Sequence, residues 1–450
     1  MTQEGYILRH KWGIFKEKRG VYMITVKGKC TCPANKETGS ITFARTYLNY
    51  EGLACRQTRV MAKEGDYQNG EMCRYSPDNG RTWSDWEPVK REEYSVFYGE
   101  DEMTTNKTPE KWNPVHRHFV RTVFTRYFLG GHHKAYEKFW GKGETAFLDH
   151  QYIAIRKPED QKPYITQLVR YENGEDFSAE NPRNTEFLYK NRGFINEPIV
   201  LDSGDIAVPV GVPADVGCRI AGVDVERVFP SCPQIHRCVI VARGHFNAET
   251  EQYDFTFSNP VILGDLRSSR GIDEPILTQL KSGRLLLVMR GSNVSRKEWN
   301  TRIEKGTPSF KWYAWSDDGG KTFTDPEPWH FDDGEVIYSG ATISNMVRSS
   351  KNGKLYWFGN IAPHTAYGNW PRYPLHMVQV DEQTGAAMKE TLTVIDTRRP
   401  GETEKVQLSN FEIVEDRETG CFELTLSKIN QFDESGFWGE SWQYDIDPGE

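Results

Sequence analysis

The sequence predicts an all-β chain folded as a six-bladed β-propeller of four-stranded antiparallel blades. Three observations carry that expectation. Short apolar or alternating runs bounded by Gly, Pro, Asn and Asp recur from one end to the other, while long helical periodicity is hard to find. A unit of turn followed by strand returns at Glu37-Thr-Gly-Ser-Ile-Thr-Phe, Asp202-Ser-Gly-Asp-Ile-Ala-Val, Lys281-Ser-Gly-Arg-Leu-Leu-Leu, Lys351-Asn-Gly-Lys-Leu-Tyr-Trp and Glu418-Thr-Gly-Cys-Phe-Glu-Leu. An eight-residue pattern, Ser-x-Asp-x-Gly-x-Thr-aromatic, occurs twice, at Ser76–Trp83 and Ser316–Phe323.

The number of blades comes from the spacing. The turn glycines Gly39, Gly204, Gly283, Gly353 and Gly420 are separated by 165, 79, 70 and 67 residues. The first gap is twice the others, which implies a degenerate unit near Leu129–His133 and six units in all. A repeat of about 70 residues with several short strands cannot close its own core, and radial stacking into a propeller is the usual solution. Six such blades account for nearly all 450 residues, so residues 1–450 read as a single propeller domain. The stretch Glu93–Gly141 is less regular and is expected to hold a long loop or a short helix.

The repeated eight-residue pattern suits an outer hairpin. Asp and Ser side chains bond the turn's own backbone, Gly takes positive φ, Thr ties back to the loop and the aromatic ring packs inward. Asp78 and Asp318 are therefore read as structural, their carboxylates consumed in local bonds.

Composition excludes several classes. With 37% hydrophobic, 27% charged and 13% aromatic residues the chain can fill a core. The longest aliphatic stretch, Leu285–Met289, is far short of the roughly 20 residues that cross a bilayer, so no membrane partner is expected. The net charge of −8, with no block of one sign, argues against a nucleic-acid partner. The 8 cysteines are scattered, with no CxxC pair, and are expected as free thiols, mostly buried. The N-terminal residues carry no apolar secretory segment, which places the chain in the cytoplasm unless a leader was removed. No cofactor and no metal is called for.

The two Asp motifs, with the turn repeats, resemble the Asp-box (BNR-repeat) propellers of the sialidase (neuraminidase) superfamily, and the resemblance spans essentially the whole chain. In the glycosidases of that superfamily three arginines hold the substrate carboxylate, a glutamate assists a tyrosine nucleophile and an acidic residue serves as acid/base. The segment Gly271–Arg290 is similar to the stretch that supplies the glutamate and the second arginine, which implies those roles for Glu274 and Arg290. Arg372, in Asn369-Trp-Pro-Arg372-Tyr-Pro, matches the third arginine. Glu51, in Leu48-Asn-Tyr-Glu51, is the best substitute for the acid. Two positions depart from the family. Met23 stands where the first arginine would fall, and Leu408-Ser-Asn-Phe411 has no tyrosine where the nucleophile would be, so the active site is not a standard sialidase one; Tyr338 is the alternative phenol.

The residues themselves suggest further chemistry. Arg290 and Arg372 suit an anionic sugar, because guanidinium forks bind carboxylates bidentately; the alternative is that each pairs with an acidic residue of a neighbouring blade. Five of the chain's 11 histidines, His116, His118, His132, His133 and His150, fall within 35 residues, and among them His133 is the candidate general acid or base. Trp370 and Tyr373 flank Arg372 and are expected to stack on a sugar. The leading expectation is an exo-acting glycoside hydrolase for an acidic glycan. Glu51 or His133 would protonate the leaving oxygen, and Glu274 would assist a nucleophile or water. The alternatives are a β-eliminating lyase for uronate-containing glycans and a non-catalytic glycan-binding propeller.

Overall fold

The computed structural model describes residues 24–65, 67–142, 147–194, 196–230, 236–294 and 302–450, with the backbone alone at 139–142. Six antiparallel sheets follow one another along the chain, each a blade of a β-propeller. From the axis outward, blade 1 comprises Ser40–Tyr47, Cys55–Ala62, Gly70–Ser76 and Glu87–Pro88. Blade 3 comprises Ile199–Val200, Ile206–Pro213, Arg237–Asn247 and Gln252–Phe257. Blade 4 has Asp273–Gln279, Leu285–Arg290, Lys311–Ser316 and Glu327–Pro328. Blade 5 has Ser344–Arg348, Leu355–Asn360, Leu375–Val380 and Thr393–Asp396. In blade 6, Phe411–Glu415, Phe422–Ser427 and Ser441–Asp447 take as their outermost partner the strand Thr25–Cys32, which closes the ring.

Blade 2 is larger. Its long strands His118–Phe128 and Phe147–Arg156 pair outward with Ile165–Leu168 and inward with Asp101–Lys107 and Lys111–Asn113, and Ser95–Tyr98 adds a further strand. A helix, His132–Lys142, lies between the two long strands. The degenerate turn expected near Leu129–His133 is thus the entry to this helix. The corresponding turn of blade 2 is instead at 114–117, where Arg117 takes φ 55°. Gly39 likewise precedes the inner strand of blade 1, whereas Gly204, Gly283, Gly353 and Gly420 each join the first two strands of blades 3 to 6.

Stacking buries both faces of the middle strands, which explains their unbroken apolar runs. In Leu285–Arg290, the side chains of Leu285, Leu287 and Met289 pack against Ala207, Val239 and Val241 of blade 3. Leu286 and Val288 pack against Leu355 and Trp357 of blade 5. On the next strand the alternation repeats, with Tyr356 and Phe358 facing Leu424 and Leu426 of blade 6. Among the described residues no helix is long and apolar enough to cross a membrane.

Both copies of the eight-residue pattern form the hairpin between the third and fourth strands, in blades 1 and 4. Asp78 Oδ1 accepts from Ser76 Oγ at 2.9 Å and from the Thr82 amide at 2.8 Å, and Oδ2 accepts from Thr82 Oγ1 at 2.7 Å. Asp318 repeats these bonds at 2.9, 2.9 and 2.7 Å with Ser316 and Thr322. The bonds hold both carboxyls down at about 2; at Asp318 they outweigh burial, which acts in the other direction.

Candidate functional site

The inner strand of every blade starts at one end of the axis, and the second strand finishes there. Blade 4 places its charged residues at that end. Ser268 and Ser269 are buried and tie the incoming loop to the end of the second strand, with Ser269 Oγ donating to the Ser292 carbonyl at 2.7 Å. Gly271, at φ 67°, lets the loop pass so close to Arg237 that any Cβ would overlap the Arg237 carbonyl. Asp273 then pairs with Arg290 across the sheet, and the register shifts between Asp273 and Ile276. Glu274 sits on this bulge at φ 44°, a left-handed conformation rare for a residue with a side chain and disfavoured further by the following Pro275. Bulges re-aim side chains, and this one turns Glu274 onto Arg290, Nη1 to Oε2 2.7 Å.

The surroundings are cationic. Arg270, Asp273 and Arg290 line one small recess. Burial lowers Arg270 to about 10, and neighbouring Arg290 pushes the same way. Lys311, wholly buried at the start of the third strand, is lowered to about 7 by burial, against the opposing pull of Glu274; its Nζ donates to the Thr342 carbonyl. Burial raises the Glu274 carboxyl, while Arg290, Arg372 and Lys311 resist that rise. Arg372 arrives from blade 5, in the loop between the second and third strands. Its Nη1 donates to Gln407 Oε1 at 2.7 Å and its Nε to the Asn369 carbonyl at 3.2 Å. From blade 3, Arg237 faces Asp149 at 3.7 Å, and Asp149 is gripped by Arg126 at 2.8 and 3.1 Å.

Glu274, Arg290 and Arg372 therefore stand at one end of the axis and share one electrostatic field. Glu51 does not. It is exposed in the turn after the inner strand of blade 1, at the opposite end, where the Asn79 amide of the Asp78 hairpin donates to the Leu53 carbonyl at 3.0 Å. His133 is at the same end as Glu274 but on the helix of blade 2; its exposed ring meets Glu64, Nδ1 to Oε2 3.4 Å. The five neighbouring histidines separate into three places. His118 Nε2 meets Tyr253 Oη at 2.7 Å with His116 stacked beside it, and His150 is buried against the Phe187 carbonyl at 2.8 Å. Trp370 lies under the Arg372 guanidinium, 5.5 Å from the ring centroid. Tyr373, expected to face a sugar, instead packs on the apolar core between blades 5 and 6.

The stretch Leu408–Phe411 runs beside Arg372, the Leu408 amide donating to the Arg372 carbonyl at 3.0 Å, and it brings Ser409 Oγ within 3.4 Å of Nη1. Tyr338 stacks on Phe310 at 5.4 Å, one residue from Lys311. Met23 lies outside the described residues.

Neither a protein-family model nor a curated relative matches the sequence. Solved structures do. A Dyadobacter fermentans protein of unknown function superposes with TM-score 0.53 at 14% identity, over 93% of this chain and 99% of its own. NanB with Optactamide superposes with TM-score 0.54 at 9% identity, over 91% of this chain and 68% of its own. Trypanosoma rangeli sialidase gives TM-score 0.51 at 11% identity, over 93% and 59%. The fold is sialidase-like.

Sequence reasoning missed Arg270, Asp273 and Lys311 of this sialidase-like propeller. A signal for Lys311 was present, a lone cation inside the aromatic run Phe310-Lys-Trp-Tyr-Ala-Trp315. A second, larger cavity of about 340 Å³ is lined by Lys111, Glu197, Arg348 and Glu412 of the inner strands or their entries. Lys111 pairs with Glu197 at 2.6 Å, and burial, reinforced by Glu197, raises the Glu412 carboxyl to about 7.

Proposed function

We propose that this chain is a glycoside hydrolase that cleaves a terminal bond of a glycan bearing a carboxylate. The observation that carries the reading is the gathering of Arg270, Arg290, Arg372 and Lys311 around Glu274 at one end of the propeller axis. Guanidinium forks bind carboxylates bidentately and with charge assistance, so an acidic sugar is the ligand chemistry this set favours. Arg372 and Arg290 hold its carboxylate, and Trp370 offers an apolar face beside it. Glu274, raised by burial and steered by Arg290, handles the proton of the attacking water. A covalent intermediate on a phenol is not part of the proposal, since Leu408–Phe411 has no tyrosine. The same architecture in a trypanosomal sialidase supports the reading at the level of fold.

A second reading rests on the same arginines. Neutralising a uronate carboxylate, they acidify the carbon–hydrogen bond beside it, and the Glu274 carboxylate next to Arg290 takes that proton. The carbon–hydrogen electrons then form a double bond, the glycosidic C–O bond breaks, and the leaving oxygen takes the proton that Glu274 has just accepted. Turnover of a panel of acidic glycans, followed both by new reducing ends and by near-ultraviolet absorbance, separates the two. Hydrolysis gives reducing ends without absorbance, and E274Q lowers that rate at least about 100-fold. Near-ultraviolet absorbance that grows with turnover and disappears in E274Q favours elimination. No turnover, with acidic-sugar affinity unchanged in R372A, refutes both.

A further inference from the structure

A side-chain cluster outside this site, where blades 1 and 2 meet, combines metal-ligand chemistry with a built support. Glu64 comes from the loop between the second and third strands of blade 1, and His132 and His133 open the helix of blade 2. His132 Nε2 lies 3.1 Å from Glu64 Oε1, and His133 Nδ1 lies 3.4 Å from Glu64 Oε2. One ligand atom from each of the three residues falls within 4.8 Å of the others. Nitrogen and oxygen donors about 2.0–2.2 Å from a tetrahedral zinc are about 3.3 Å apart, so each histidine lies at about that separation from one of the two Glu64 oxygens, and side-chain rotation within the 4.8 Å cluster would bring all three onto one ion.

The support is the stronger argument. Behind His132, Glu102 is fully buried, and its Oε2 meets His132 Nδ1 at 3.2 Å. Tyr67 Oη and Ser95 Oγ both donate to Glu102 Oε1, at 2.9 and 2.6 Å, which fixes the carboxylate. Tyr67 also stacks flat on the His132 ring, with centroids 3.6 Å apart and planes at 9°. A carboxylate accepting the Nδ1 proton leaves the Nε2 lone pair aimed outward, the arrangement by which proteins orient a metal-bound histidine. Here Nε2 faces a second carboxylate, Glu64, at 3.1 Å, so the ring either carries a proton on each nitrogen and donates to both carboxylates, or gives up the Nε2 proton in favour of a metal ion held beside Nε2 and Glu64. One oxygen and two imidazole nitrogens suit a borderline ion of the zinc class better than magnesium or calcium, which take oxygen ligands.

We propose that Glu64, His132 and His133 form a three-ligand site for a zinc-class divalent ion, oriented by Glu102 and fastening blade 1 to blade 2. The site does not depend on the glycosidase reading.

The test uses the full chain after chelation and dialysis. Zn²⁺ is titrated calorimetrically and Co²⁺ by its visible spectrum, with melting temperature read in parallel. The expected result is one Zn²⁺ per chain, a tetrahedral-type Co²⁺ spectrum and a rise in melting temperature that Mg²⁺ and Ca²⁺ do not reproduce. H133A and E64Q, whose side chains are exposed enough for the fold to tolerate the change, are each expected to weaken Zn²⁺ binding at least about 10-fold and to lose the melting shift. No uptake by the wild-type chain, uptake unaltered in both variants, or an equal shift with Mg²⁺ each overturns the proposal. The last two outcomes indicate adventitious binding.

Discussion

Glu274 provides a measurement of how the site is aimed. Its φ of 44° obliges a residue with a Cβ to occupy the left-handed region, at a cost of about 1–2 kcal/mol. Glycine does not bear that cost, although it forfeits about 0.5–1 kcal/mol through the greater freedom of its unfolded chain. E274A and E274G remove the same carboxylate, so Arg290 loses its 2.7 Å partner equally in both. Their difference isolates the backbone: E274G is expected to be more stable than E274A by about 0.5–1 kcal/mol, the reverse of the order at an ordinary strand position. Both fall below the wild type. Breaking a buried ion pair costs about 3–5 kcal/mol; the two side chains keep only 17% and 14% exposure, and Asp273 at 3.9 Å still faces Arg290, so a loss of about 3 kcal/mol is expected for E274A. Urea-unfolding midpoints at unchanged slope give both quantities. An alanine variant as stable as the glycine variant would refute the idea that a strained bulge directs this carboxylate.

Three other expectations bear on the same framework. The unfolded chain holds the Lys311 proton up to about pH 10.5 and the folded chain only to about 7, so the unfolded state binds more protons in that window and wild-type stability rises with pH across it. K311M should flatten the rise in urea midpoints taken from pH 7 to 10, and a slope equal to the wild type's would count against a buried amine. At Gly211 an added Cβ would lie 2.7 Å from Asp273 Oδ1, so G211A should displace that carboxylate from Arg290, 3.9 Å away, and lower turnover through Arg290 while circular dichroism stays native; full activity would show that turnover does not depend on the Asp273–Arg290 contact. D318A should lower the melting temperature without changing affinity for an acidic sugar, and the stability that Asp318 contributes, present above pH 3.8, should fade as pH falls toward about 2. A loss of sugar affinity in D318A would contradict its purely local role.

The blades were legible because stacking imposes a visible rule, apolar residues on both faces of the middle strands and a polar turn between them. Even so, the count of six rested partly on coincidence. Gly39 belongs to a different junction, and blade 2 hides its turn by placing Arg117, not glycine, at positive φ, with Asn113 Oδ1 accepting from the Val115 and His116 amides to hold the bend. Glu274, Arg290 and Arg372 could be read because they lie in short segments with a recognisable order of residues. Glu51 was chosen by nearness in sequence to an expected position, and nearness does not say which end of the axis a loop occupies; His133 was chosen from a cluster of histidines in the sequence, which does not say that its ring turns to Glu64 on the helix of blade 2. Lys311 and Arg270 escaped notice because their chemistry comes from burial by neighbouring blades, which no local pattern records.

The pairing of Thr25–Cys32 with Ser441–Asp447 has a consequence for biosynthesis. Thr31 and Ser441, whose side chain and carbonyl meet at 3.1 Å, are 410 residues apart, so Thr25–Cys32 is synthesised long before its partner strand. A strand without its partner is an open sheet edge, the kind of margin that recruits other polypeptides. The ring can close only when these distant parts of the chain meet, and losing the residues of Ser441–Asp447 would leave Thr25–Cys32 without its partner strand.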